Sequence, residues 1–514
     1  MQGKKNFTPR LFTNFFLPDN IPDDNFYKVL KSNLDLSFVY GLTKDVYSNT
    51  GRPSLDPVVF FKMLLVGYLE NCCSDRALER LFQLRLDLLF FIDHDITDPV
   101  PDHSTICKTR QRIPTAVFEE VFNRILKLCV QVGLVDGAVQ SIDTAYINAN
   151  AALDKMVEVK MIDRSPEEYL DEVKSQDIPT DDEIDQADKR RRKSQRDLER
   201  FTQMRKDKYT SLEGGKAHKK NKRRFLSNAT HMSRTDPDAR IAKKSGKPRM
   251  LCYSAAVAVD SQHNVITHIS AEHASKRDSR LLLDIVESTL DRLIPYGLSV
   301  KKILADAGFS SGHNYYVLNH WNLDSYIPIH GSYKTEREHF AYDEQTDSYT
   351  CKNGATLKFV SYDSSGGYDK KKYYSSRKDC NTCPFRTDCV DSRGVKMLSH
   401  TIYKEEYDQM IKKLKSQKGR NTYLKRMQTV EPILGTLQQH YGLRFINVRG
   451  KPNAQKVMLM AGAAINLKKW MKKMIVDRFK ALWRNIVRLI TMSINSSRTN
   501  KRYVHNYILV HAAS

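Results

Sequence analysis

The sequence predicts an α/β protein, a mixed sheet with flanking helices preceded by an all-α N-terminal domain. Three observations carry this. Residues 1–135 hold apolar positions at helical spacing behind capping residues. Short strand-like runs then recur at 139–147, 251–259, 265–270, 302–306 and 326–329, with an amphipathic helical stretch at 277–293. Two blocks of different composition, 151–250 and 331–420, interrupt that alternation.

The bulk numbers fit. The chain has 514 residues, which at about 150 per domain suggests roughly three domains. Hydrophobic residues make up 40% and charged residues 28%, enough apolar material for a core, which excludes a wholly disordered chain. Lys plus Arg is 83 against 60 for Asp plus Glu, a formal charge of +23. A surplus that large usually meets a polyanion, nucleic acid first and an anionic membrane surface second. No run of about 18 apolar residues offers a membrane span, and no secretory leader is visible. Nine sparse cysteines argue against a secreted disulfide framework, so a reducing cytoplasm is the expected compartment.

In the N-terminal block, Ser54 is a candidate N-cap with Pro57 in the first turn, and Val58 to Leu69 runs apolar at helical spacing. Ser74-Asp75 can cap the next helix. After the turn-rich 95–101, Asp102 opens a short helix that carries Lys108, Arg110 and Arg112. Short helices, tight turns and a basic last helix suit a helix-turn-helix-like DNA-binding unit. Val139 to Ile147 then reads as a strand with Asp143 inside it. Aspartate is disfavoured in strands, and such local violations fall at functional sites more often than elsewhere.

The insertion 151–250 is split by charge. Asp163 to Asp188 holds 11 acidic and 2 basic residues, while Lys189 to Arg249 holds 22 basic and 6 acidic, net +16. The basic run, with Arg190, Arg191, Arg192 and Lys193 at its head, is either a solvated block or a phosphate-binding one. The insertion 331–420 carries Cys380, Cys383 and Cys389 in CxxCx5C spacing, with Cys351 upstream. Four thiolates suit tetrahedral zinc; reduced, unligated cysteines are the alternative. Downstream, 421–442 reads as a helix, but Pro432 would break its interior, so the helix is expected to start near Thr429. Residues 453–492 are helical and basic.

Three carboxylates stand at distinctive places: Asp143 in a strand, Asp306 at a strand end, Glu431 on a helix beyond an insertion. Converging carboxylates suit two-metal phosphoryl transfer, because hard divalent cations take oxygen ligands. The order of strands and helices around them matches a ribonuclease H-like core.

Several stretches carry a resemblance. They are GRPSLDPVVFFKMLLVGYLENCCSDRALERL, VPDHSTICKTRQR, SIDTAYINANA, THMSRTDPDARIAKKSGKPRMLCYSA, ILADAGFSS, DCNTCPFRTDC and VEPILGTLQQHYGLRFINVRG, sampling residues from about 50 to 470. In this set and order the chain resembles a DDE transposase of a bacterial insertion sequence, in the branch with an InsH-like N-terminal domain. The resemblance implies that Asp143, Asp306 and Glu431 ligate two Mg²⁺ ions, which Mn²⁺ can replace. It implies double-stranded DNA as partner, both terminal inverted repeats and target, with a homodimer in the synaptic complex and no membrane. It also implies a place in the bacterial cytoplasm, at the nucleoid.

Related transposases carry a Tyr-Arg-Glu-Lys signature around the glutamate. Tyr423 and Arg426 fit its first part, with one extra residue before Glu431, while the lysine position is Gln438, on the same helix face as Glu431. The DNA contacts expected are Lys108, Arg110, Arg112, Arg190, Arg191, Arg192, Lys193, Tyr423, Arg426, Gln438, Arg444 and Arg449. The domains expected are 1–135, a core from 136–330 with its charged insertion, the cysteine insertion 331–420, and 421–514 with the Glu helix and basic C-terminal helices. The alternatives are a nuclease or domesticated descendant of the same fold, or a non-catalytic zinc and DNA-binding regulator.

Overall fold

A computed structural model describes residues 15–158, 226–243, 248–364 and 369–511, apart from 49, 52, 53, 73, 332 and 334. The N-terminal part is helical: α1 (Phe26–Asn33), α2 (Phe38–Thr43), α3 (Pro57–Leu69), α4 (Asp75–Leu84), α5 (Leu86–Phe91), α6 (His103–Arg112) and α7 (Thr115–Gln131). Helix α3 is apolar all round and buried from Val59 to Val66, so it forms the centre of this domain. Its cap is Asp56 rather than Ser54: the Asp56 carboxylate accepts from the amides of Val58 at 2.7 Å and Val59 at 3.2 Å. Asp56 sits directly before Pro57 at the first helical position, so its side chain reaches those amides with the shortest path. Ser74 stands at the N-cap of α4 without a side-chain bond. Asp102 caps α6 as expected, accepting from Ser104 and Thr105.

The sheet follows. Its strands are β1 (Val139–Asn148), β4 (Arg240–Ala242), β5 (Met250–Asp260), β6 (Val265–His273), β7 (Lys302–Ala305) and β8 (Asp324–Tyr326); β2 (Met156–Glu158) and β3 (His231–Ser233) pair apart from it. β5 lies antiparallel to β1 and to β6, while β7 and β8 continue parallel to β1. The hairpin β5–β6 turns at Asn264, which takes a left-handed φ of 59°. Helices α8 (Leu282–Leu293) and α9 (Gly312–His320) provide the connections into β7 and β8. The sheet order β6-β5-β1-β7-β8, antiparallel on one side and parallel on the other, is a ribonuclease H-like core, with the all-helical domain ahead of it.

Insertion 331–420 builds its own antiparallel sheet, β9 (Phe340–Asp343), β10 (Ser348–Cys351), β11 (Thr356–Asp363), β12 (Lys370–Ser375) and β13 (Met397–Thr401). Its small core is Tyr349, Leu357, Tyr373 and Leu398. The short helices α10 (Arg377–Asn381) and α11 (Arg386–Cys389), with the turn between them, carry three of the cysteines. Helices α12 (Lys404–Lys415) and α13 (Gln417–His440) then return the chain to the main sheet, and α14 (Lys451–His511) closes the fold.

Two contacts explain how these last helices seat. α13 runs unbroken through Pro432, against the expectation of a start near Thr429. Proline cannot donate to the carbonyl four residues back, at Gln428. That carbonyl accepts instead from Asn264 Nδ2 at 3.2 Å, so the hairpin tip fills the gap in the helix ladder. α14 covers the free edge of β6 with side-chain amides. Asn466 accepts from Ile266 N at 2.9 Å and donates to Ile266 O at 2.8 Å, and Gln455 does the same for Ala271 N and Ile269 O. The unpaired edge is thereby satisfied and closed. A close approach is needed for this: a Cβ on Gly462 would lie 3.1 Å from Ile269 Cγ2.

Candidate active site

Asp143 lies in the middle of β1, where Ile142 pairs with Ala305 of the parallel β7. The next residue along β7 is Asp306, so the register alone brings the two aspartates side by side. Asp306 ends the strand: its Oδ1 accepts from Gly308 N at 2.9 Å, capping the 3₁₀ turn Ala307–Phe309. Helix α13 is pinned across β1 by Thr429, whose hydroxyl donates to Ser141 Oγ at 2.7 Å. Ser141 and Asp143 share one face of the strand, and this pin sets Arg426, one turn before Thr429, over it, while Glu431 is exposed at the side of the helix.

Arg426, one turn earlier on α13, joins the carboxylates. Its Nη1 donates to Asp143 Oδ2 at 2.8 Å and its Nη2 to Glu431 Oε1 at 2.7 Å. The residue is 8% exposed. Burial nevertheless pushes the Asp143 carboxyl up to about 6, ahead of the opposing pull of Arg426, and the charge of Asp306 adds to the rise. The charge distribution is uneven: among the described residues, Asp306 has no ion-pair partner.

Asp278 is a fourth carboxylate that sequence reasoning passed over. It opens the 3₁₀ turn ahead of α8 and accepts from Thr144 Oγ1 at 2.9 Å. A Cβ placed on Gly308 would lie 2.9 Å from Asp278 Oδ2 and 3.1 Å from Asp306 Oδ1, so both carboxylates crowd one point. Burial raises the Asp278 carboxyl above the ordinary range, with Asp306 contributing. In the sequence it lies at the head of the amphipathic stretch 277–293; an aspartate opening the helix between the third strand and the Asp306 strand was the signal available.

The other expected residues divide. Lys108 and Arg112 lie exposed on α6, Arg112 over the ring of Tyr47. Arg110 is buried and bound by two hydrogen bonds to Asp75, at 2.8 and 2.6 Å, so it ties α6 to α4 instead of facing outward with them. Arg426 is likewise inside the site and not on an open surface. Tyr423 lies 5.9 Å from the Arg426 guanidinium, and Gln438 Nε2 donates to Tyr146 O at 3.2 Å, holding α13 to β1. Arg444 and Arg449 are exposed; Arg449 lines a cavity of about 360 Å³ with Asn150, Phe445 and Arg110. Arg190, Arg191, Arg192 and Lys193 lie outside the described residues.

Cys351, Cys380, Cys383 and Cys389 all line one small cavity of about 20 Å³, and the Cys380 thiol donates to Ser375 Oγ at 3.0 Å. Among the described residues, however, no group of three or more His, Cys, Asp or Glu is arranged to hold a metal ion. By donor type alone, the carboxylate oxygens of the core would suit hard divalent cations, and the four sulfurs around one cavity in the insertion a soft one. Among the described residues no helix is long and apolar enough to cross a membrane.

Two family models match the chain. A transposase domain of the DUF772 type covers residues 15–112, helices α1 to α6, and a transposase DDE domain covers residues 350–471. The second spans β11 to β13, the cysteines, Arg426 and Glu431, and ends where the buried part of α14 ends. No curated protein matches the chain. One transposase domain over the helical N-terminus and a transposase DDE domain over the Glu helix, with a ribonuclease H-like sheet between, support a DDE transposase of an insertion sequence.

Proposed function

We propose that this transposase binds the terminal inverted repeats of an insertion sequence, cleaves at the element's ends and joins them to target DNA, with Asp143, Asp306 and Glu431 as its catalytic carboxylates. The observation that carries the reading is the meeting of Asp143, beside Asp306 in register, with Glu431 through one guanidinium. Residues from three separated stretches of chain meet there, and no packing requirement asks for acidic side chains at that point.

In the reading, water attacks a phosphodiester at the element's end, forming one P–O bond and breaking another, and leaves a free 3′-OH. That hydroxyl then attacks a target phosphodiester, again exchanging one P–O bond for another. Asp143, Asp306 and Glu431 would hold two Mg²⁺ ions, or Mn²⁺, which when bound activate the attacking oxygen and stabilise the leaving one. Asp306 is fixed by its cap to Gly308, and Glu431 by its ion pair with Arg426. Lys108 and Arg112 of the helical domain, with Arg444 and Arg449 beside the core, supply exposed cations for DNA phosphates. Joining two ends requires two such sites, hence a homodimer acting at the nucleoid in the cytoplasm. The four cysteines would hold a structural zinc in the insertion. Incubation of the protein with labelled duplex carrying the element's ends and Mg²⁺ tests the reading. Joined products support it, cleavage without joining points to a nuclease, and the absence of both refutes catalysis.

A further inference from the structure

Among the described residues, the Arg426 guanidinium is the buried cation that sits inside the proposed site. It is buried, it spans two of the three proposed metal ligands, and its Nε is buried without a hydrogen-bond partner. A buried arginine normally spends its donors, because an unpaired one costs the desolvation of a charged group. Here the fork is only partly spent. Its two bonds go to Asp143 and Glu431 alone, and Asp306, the neighbour of Asp143 in register, feels the guanidinium charge but forms no ion pair among the described residues.

Resting on the active-site reading above, we propose that Arg426 closes the Asp143–Glu431 side of the site to cations until a DNA phosphate draws its guanidinium away. A guanidinium and a divalent ion cannot share the same pair of carboxylate oxygens, since each repels the other at that distance. The Asp143–Asp306 side carries no such blocking group and takes an ion without substrate. A phosphodiester brings two non-bridging oxygens that share one negative charge and match the planar fork in two-point fashion, and offers an acceptor to the unspent Nε. Arg426 then trades carboxylate for phosphate, and Glu431 becomes available. Arg426 is thus a positioning residue that makes full metal loading depend on DNA and keeps a free transposase from hydrolysing stray phosphodiesters.

The test is Mn²⁺ titration of the full chain by calorimetry, with Asp143→Asn as the blank for sites elsewhere. Without DNA, the wild type should bind about one Mn²⁺ above the blank and Arg426→Gln about two, the second at least about tenfold tighter than in the wild type. Arg426→Lys, which keeps the charge, should stay near one. Adding a short duplex with the element's end should raise the wild type to about two, after subtraction of duplex with the blank variant. Equal stoichiometry and affinity in wild type and Arg426→Gln would make Arg426 a structural pin and overturn the proposal. If Arg426→Gln does not fold by thermal unfolding, the wild-type comparison with and without duplex decides alone, and an unchanged count overturns it. A wild type that binds no Mn²⁺ beyond the blank would instead refute the metal-site reading itself.

Discussion

Arg426 and Asp143 are 283 residues apart in the chain and meet at 2.8 Å, with the second guanidinium nitrogen on Glu431 at 2.7 Å. Each is a buried charge that the other partly compensates. The strand gives Asp143 burial that raises its carboxyl, and α13 gives Arg426 a place it could occupy only opposite acids. The site is therefore assembled by electrostatics between elements that the chain separates with two insertions.

The helix that carries both Arg426 and Glu431 depends on a hairpin tip. Asn264→Gly keeps the left-handed φ of that position and removes the amide that fills the Pro432 gap. The expected cost is about 1 kcal/mol, the worth of one hydrogen bond. In a Pro432→Ala background the cost should largely vanish, because the substituted alanine restores the backbone donor for the Gln428 carbonyl. Urea unfolding of the four proteins gives the cycle; additive losses would mean that Asn264 does not serve this carbonyl.

The insertion sheet should loosen in acid. His400 accepts from Tyr349 at Nδ1 and meets the Tyr373 hydroxyl at Nε2; Tyr373 in turn donates to Asp347, which also pairs with Lys371. Burial first, then Lys404, pulls the imidazole down to about 4 from 6.5, ahead of the smaller opposing pull of Asp347. The unfolded histidine takes a proton near 6.5 and the folded one does not, so stability is complete above that pH. It falls as pH drops, by roughly 3 kcal/mol at most, and levels off below the folded value. Tyrosine near-ultraviolet circular dichroism follows this sheet. His400→Gln should remove the loss between pH 6.5 and 4, and an unchanged acid transition in that variant would place its cause elsewhere.

Purified protein should carry about one zinc per chain if the four cysteines around their shared cavity act together. Elemental analysis measures it, and Cys380→Ser should lower the zinc content and the melting temperature together. Protein that is zinc-free after purification and gains none on dialysis against zinc would leave these as reduced thiols.

The basic run from Lys189 to Arg249 lies largely outside the described residues and is tested by salt. Each phosphate neutralised contributes about −0.9 to the slope of log K against log salt. Replacing Arg190, Arg191, Arg192 and Lys193 with Gln should flatten that slope while leaving preference among end sequences nearly unchanged. A wild-type slope in the variant would assign the run to solvation, with the acidic stretch 163–188 as its counter-charge.

Much of this architecture was legible in local sequence. Asp143 announces itself by breaking strand preference, Asp306 by ending an apolar strand, and the order of strands and helices specifies the sheet. What was not legible depends on distant partners. Pro432 reads as a helix breaker because the donor that excuses it, Asn264, contacts the helix from 164 residues away. Arg110 and Arg426 read as DNA contacts because nothing local shows that Asp75 and Asp143 take their guanidinium groups. Asp278 is one more acid in the helical stretch 277–293, because its neighbour Asp306 arrives only with β7.

The carboxylates are expected to perform phosphoryl transfer and not merely to hold the fold. Asp306→Asn tests it most directly, since Asp306 forms no ion pair among the described residues and an amide oxygen can still accept from Gly308. With labelled end-bearing duplex and Mg²⁺, cleavage and joining should fall by at least about a thousandfold, as expected when a metal ligand loses its charge. Gel-shift affinity for the same duplex in metal-free buffer should stay within about twofold of wild type. Retained cleavage, or a loss of DNA binding that matches the loss of cleavage, would contradict the account.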